Sequence, residues 1–90
     1  MATSFVRHKV SDYSVWRQVY DSVAEVQREG GVVAAAVYRS VDDPNDVLVM
    51  HRFATMEDAH AFMHSPALRD AMGKAGVDAS SLRIELYEED

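Results

Sequence analysis

"VVAAAVYRSVDDPNDVLVMHRF", residues 32–53, holds two runs rich in β-branched and aromatic side chains, Val32–Val41 and Val47–Phe53, around the cluster DDPND. Valine, tyrosine and phenylalanine favour extended backbone while Pro44 and Asn45 bend it, so the stretch reads as an antiparallel hairpin. Upstream, "SFVRHKVS" (4–11) alternates, with Phe5, Arg7 and Lys9 on one side and Val6, His8 and Val10 on the other, the period of a strand. Asp12 or Ser11 can then cap a helix along which Val15, Trp16, Val19, Val23 and Val26 recur, until "REGG" (28–31) stops it. Valine is a poor helix former, so this helix is expected to depend on packing against a sheet. Downstream, Thr55 with Asp58 resembles a capping box and opens a second helix. Pro66 interrupts that helix, and "PALRDAM" restarts it, with Leu68, Ala71, Met72 and Ala75 on one side before Gly76. "SLRIELYEE" (81–89) closes the chain as a strand. The order β-α-β-β-α-β is the split βαβ arrangement of ferredoxin-like folds, an α+β class with one antiparallel sheet and both helices on one face. No repeat, linker or low-complexity segment divides residues 1–90, which read as a single domain.

Composition narrows the function. Fifteen acidic against nine basic residues give a net charge of −6, which supplies no electrostatic drive toward phosphate backbones and argues against nucleic acid. With no cysteine, disulfides, thiolate metal sites and cysteine nucleophiles are excluded. No run is long and apolar enough for a signal peptide or a membrane span, so a cytoplasmic protein without membrane contact is the expectation. Ninety residues can leave an apolar face uncovered, and a second copy is the natural cover.

Strand parity sorts the side chains. One row, Val6, His8, Val10, Val49, His51, Phe53, Leu82, Ile84 and Leu86, is apolar enough to bed the helices. The other, Phe5, Arg7, Lys9, Leu48, Met50, Arg52, Arg83, Glu85 and Tyr87, is amphipathic and is expected to meet a second subunit. On the first row the two imidazoles need partners, water or a ligand, because an unpaired polar group between helix and sheet is costly. His8 and His51 fall on neighbouring strands of such a sheet, so their rings can approach each other and serve as bases near neutral pH, unless both are satisfied core residues. Trp16 and Phe62 face the sheet as walls or core. His60 and His64, four apart, have the spacing of two metal ligands but lack the HExxH glutamate; a solvated pair at a helix end accounts for them, and no metal is expected.

Three stretches, "HKVSDYSVW" (8–16), "VYRSVDDPNDVLVMHRF" (37–53) and "SPALRDAMGKAGV" (65–77), together resemble the dimeric α/β-barrel proteins of the antibiotic biosynthesis monooxygenase type, and most of all small bacterial members labelled cyclase or monooxygenase. The resemblance implies a ferredoxin-like protomer whose open sheet face stacks on a second copy and closes a barrel. It also implies a pocket within each protomer for polyketide aromatics, quinols or heme, and oxygenases needing neither flavin nor metal, because a deprotonated phenol can itself reduce oxygen. Where heme-degrading relatives carry an asparagine, a tryptophan and an iron-ligating histidine, this chain has His8, Phe53 and Met72. The Glu-x-Trp of many relatives is His51-Arg52-Phe53 here. The first departure argues against heme degradation and the second against quinol oxidation.

The expectation is therefore a cofactor-independent monooxygenase or cyclase for a small aromatic, polyketide-like molecule. His8 or His51 would be the base, Tyr38 a hydrogen-bond donor, and Trp16, Phe53, Phe62 and Met72 the walls. The alternative is a non-catalytic homodimer that binds a ligand or assists a pathway complex, with both histidines structural.

Overall fold

The computed structural model describes residues 1–90. The chain runs β1 (Ala2–Val10), α1 (Tyr13–Ser22), α2 (Ala24–Glu29), β2 (Val32–Arg39), β3 (Asp46–Phe53), α3 (Met56–Met63), α4 (Pro66–Lys74) and β4 (Val77–Glu88). The four strands form one antiparallel sheet in the order β2-β3-β1-β4. This is the expected ferredoxin-like α+β architecture, with each crossover made of two helices instead of one. No helix is long and apolar enough to cross a membrane.

Local chemistry explains the helix ends. The Asp12 carboxylate accepts the Ser14 amide at 2.9 Å and starts α1; the Thr55 hydroxyl accepts the Asp58 amide at 3.1 Å and starts α3. α1 stops after Ser22, whose hydroxyl donates to the Val19 carbonyl at 2.6 Å, and Val23 leaves helical geometry at φ −103°, ψ 20°. The single first helix read from the valine stripe is thus two, because a serine bonding back to the preceding turn competes with the helix ladder. Gly31 ends α2 in the left-handed region at φ 94°. A β-carbon on its neighbour Gly30 would run into the ring of Phe62, so a bare backbone lets α3 close down beside α2.

The core lies between helices and sheet in two clusters. Val6, Val10, Trp16, Val47, Val49 and Ala75 form one; Ala2, Phe53, Ala59 and Phe62 form the other. β1 and β3 run in unbroken register from Ala2↔Phe53 to Lys9↔Asp46. Against β4 the register of β1 breaks between Arg7↔Arg83 and Lys9↔Asp78, leaving His8 opposite a bulge. β4 begins at Val77, four residues earlier than the alternation of its second half suggests. Asp78 and Ser80 turn the chain there, and Ser81 stands in for a ladder partner by accepting the Lys9 amide at 2.8 Å.

Candidate functional site

Between the helix pairs and the inner sheet face lies a cleft with about 570 Å³ of empty space, its mouth included. Of its seventeen lining residues fourteen are hydrophobic; His8, Gln27 and His51 are the rest. β1 and β3 supply Val6, His8, Val49 and His51, the first crossover Trp16, Val19, Tyr20, Val23, Val26 and Gln27, the second Phe62, Met63, Leu68, Ala71 and Met72. An apolar space with a few convergent polar groups has the character of a small-molecule site.

Its aromatic wall is continuous. Tyr13 stacks on Trp16 with ring centroids 5.7 Å apart, Trp16 on Tyr20 at 5.0 Å, and Tyr20 on His51 at 6.0 Å. Phe62 stands edge-on to His51 at 5.7 Å, and His8 lies 5.8 Å from Trp16 at the opposite end. The helical spacing of Tyr13, Trp16 and Tyr20 puts all three on one face of α1. Trp16 is 4% exposed.

The Tyr20 hydroxyl and His51 Nε2 are hydrogen-bonded at 2.9 Å. Burial pushes the His51 imidazole down to about 4, so the ring is neutral at physiological pH. Burial raises the Tyr20 phenol, opposed by the nearby Arg17 charge and by Gln27. Both partners are thus uncharged, and whichever ring nitrogen lacks a proton is an available base. His51 Nδ1 has no partner, nor does the Ser4 hydroxyl, although Ser4 pairs with His51 across the β1–β3 ladder. His8 is 3% exposed, and neither of its ring nitrogens has a partner. Desolvation lowers its pKa and the neighbouring Asp46 charge raises it. Buried polar atoms left unpaired in this way are the ones a ligand or ordered water would satisfy.

The structure gathers His8, His51, Trp16, Phe62 and Met72 around the cleft. Two residues expected there are placed elsewhere. Tyr38 pairs with Leu48 on the opposite sheet face and is 54% exposed, because the parity of β2 turns Val37 inward instead. Phe53 is fully buried behind the cleft, against His51 and Phe62. The two imidazoles do not approach each other. His51 pairs with Ser4 and His8 with Val47, a separation of four residues along the strand, or roughly 13 Å. Trp16 and Tyr20 fill the gap between them.

The residue that sequence reading missed is Tyr20. Its signal was present, four positions after Trp16 on the face that also carries Val19 and Val23, but the valines made that stripe look like plain core. His64 is turned onto its own helix, its Nδ1 donating to the His60 carbonyl at 2.8 Å. No group of three or more histidine, cysteine or carboxylate side chains is assembled for a metal ion.

A family model described as antibiotic biosynthesis monooxygenase matches residues 13–74, the span from the start of α1 to the end of α4. No curated protein matches the sequence. Among solved structures, a protein of Deinococcus radiodurans named for antibiotic biosynthesis monooxygenases is 20% identical, with a TM-score of 0.77 over 100% of this chain and 93% of its own. SnoaB, a cofactor-independent oxygenase from Streptomyces nogalater, is 13% identical, with a TM-score of 0.80 over 99% of this chain and 92% of its own. A conserved protein from Methanosarcina mazei Go1 is 14% identical, with a TM-score of 0.75 over 100% and 94%. At these identities the likeness concerns the fold.

Proposed function

Because the chain belongs to the antibiotic biosynthesis monooxygenase family, we propose that it is a cofactor-independent monooxygenase acting on a small, electron-rich aromatic molecule bound in the cleft. The observation that carries this reading is the Tyr20–His51 pair, a neutral imidazole held by a phenol inside an otherwise apolar space.

The substrate lies against Trp16 and Tyr20 with an acidic C–H or phenolic O–H toward the pair. Tyr20 passes its proton to His51 Nε2 as it takes one from the substrate, leaving a substrate anion beside a buried imidazolium. This transfer is uphill, since an imidazole lowered to about 4 is a weak base. The same apolar walls strengthen the attraction between the two opposite charges formed. The anion gives one electron to dioxygen, the resulting radicals join as a peroxide, and loss of water leaves a new carbonyl. One dioxygen is consumed, with one oxygen atom entering the product and the other leaving as water, so the electrons come from the substrate. A cyclase would use the same deprotonation to form an enolate for ring closure without oxygen.

The reading includes a homodimer formed through the outer sheet face. Phe5 and Tyr87 pack edge to face there at 5.8 Å, and Tyr38 and Tyr87 are each more than half exposed, an apolar surface that a second copy would cover.

The test is oxygen uptake and product analysis with a tricyclic anthrone, comparing wild type with His51→Ala and His8→Ala. Uptake with stoichiometric quinone, lost in His51→Ala, supports the reading. Equal turnover in all three proteins removes both histidines as bases, and ring closure of an open-chain poly-β-ketone without oxygen uptake would point to the cyclase.

A further inference from the structure

Beneath the Tyr20–His51 pair, on the inner face of the sheet, two buried polar atoms lie side by side without a hydrogen-bond partner: the Ser4 hydroxyl and His51 Nδ1. Ser4 is 0% exposed and His51 4%. The two residues stand directly opposite each other in the β1–β3 ladder, both on the inward row. That placement sets their β-carbons roughly 5 Å apart.

The other groups around them are apolar or already engaged. On its far side His51 pairs with Ala35 of β2, and its own row continues to Val49 and Phe53. Ser4 has Leu86 opposite on β4, with Ala2 and Val6 along β1. From the helices, Tyr20 is bonded to His51 Nε2, and Phe62 stands edge-on to the ring. Ser4 is therefore the one side chain in this setting that can serve Nδ1. A neutral imidazole carries a single ring proton, so when Tyr20 donates its hydroxyl hydrogen to Nε2 that proton sits on Nδ1. Buried there, an N–H without an acceptor is costly.

We propose that Ser4 is a positioning residue for the base of the cleft: its oxygen accepts His51 Nδ1–H, by rotation of the hydroxyl or through one buried water, and so keeps Nε2 free for the Tyr20 proton. The role rests on the Tyr20–His51 pair being the base, and Ser4 itself does not line the cleft. When a substrate proton enters through Tyr20, Nε2 gains a proton, Nδ1 keeps its own, and the positive ring strengthens the bond to Ser4. The imidazole is thus fixed in one tautomer, as a second group fixes it in catalytic triads. No charged side chain acts on the ring; burial alone lowers its proton affinity. Ser4 offsets part of that loss.

The experiment is a long-range proton–nitrogen NMR spectrum of the histidine rings in the nitrogen-15-labelled full-length protein at pH 7.5, for wild type, Ser4→Ala and Ser4→Thr. Wild-type His51 is expected to show a protonated Nδ1 and a bare Nε2. In Ser4→Ala the ratio of the Nδ1–H to the Nε2–H form should fall about tenfold, the worth of one buried hydrogen bond. Ser4→Thr, which keeps the hydroxyl, should restore it, and the His8 ring should be the same in all three. If Ser4→Ala does not fold, Ser4→Cys takes its place with the same expectation, because a thiol is a weak acceptor. An Nε2–H ring in wild type, or a His51 spectrum indifferent to loss of the hydroxyl, overturns the role of Ser4. These spectra need no turnover: oxygen uptake with an indifferent spectrum removes Ser4 and keeps the oxygenase, and the expected spectrum without oxygen uptake does the reverse.

Discussion

His51 is 4% exposed among Tyr20, Phe53 and Phe62, while Arg52, the next residue along β3, points the other way and reaches Glu89 at 3.3 Å on the open face. One peptide unit separates a neutral base in an apolar cleft from a hydrated cation. The difference teaches that the sheet divides the chemistry: alternation sends every second side chain beneath the helices, where charge is expensive, and its neighbours toward water or a partner.

The sharpest test of that division is to truncate each side. Trp16→Ala should cost about 3–5 kcal/mol in urea unfolding, because it empties the wall between His8 and His51, whereas Arg52→Ala should stay within about 0.5 kcal/mol. Similar costs on both faces would break the comparison.

Acid is the next largest lever. The folded His51 imidazole titrates at about 4 against an ordinary value of 6.5. Between those values the unfolded chain binds more protons, so stability rises with pH and is lost as pH falls from 6.5 toward 4, by up to about 3 kcal/mol. His8, also lowered by burial, acts in the same direction. Urea midpoints across this window should flatten in His51→Phe, and an unchanged slope there would place the acid sensitivity elsewhere.

Smaller still, Tyr20→Phe should destabilise by about 1–2 kcal/mol, since it leaves His51 Nε2 without its partner inside the cleft. The His51 ring resonances should move with it, and a variant as stable as wild type would mean that water replaces the phenol. On the outer face, Tyr87→Ser should leave protomer stability within about 0.5 kcal/mol while weakening self-association in sedimentation. Intact association in that variant, or a wild type that sediments as a single protomer, would contradict the proposed dimer through this face.

Much of this division was legible in the chain. The alternation in "SFVRHKVS" and "VLVMHRF" placed Val6, His8, Val49 and His51 inward and Arg7, Leu48 and Arg52 outward, as found. What alternation does not contain is register. His8 and His51 share a face and neighbouring strands, but only the pairing Ser4↔His51 and His8↔Val47 sets them far apart and makes room for Trp16 and Tyr20. In β2, Val, Ala and Tyr fill both parities, so alternation alone does not say which side Tyr38 takes, and only its pairing with Leu48 puts it outside the cleft. The helix break at Val23 carries no proline or glycine to announce it. The early start of β4 was hidden because "VDASS" reads as a turn, and its pairing rests on a serine hydroxyl in place of a ladder bond. Tyr20 went unread because the valines beside it make its face look like plain core, although its spacing from Trp16 puts it on that face.

Trp16 is the sole tryptophan, and its ring lies in the wall of the cleft. Its fluorescence on titration with a tricyclic anthrone under anaerobic conditions therefore reports directly on whether an aromatic molecule enters there. The account predicts saturable quenching in wild type, and a much weaker effect in Ala71→Phe, which fills the cleft from α4. Quenching that is absent, or identical in the filled variant, would contradict it.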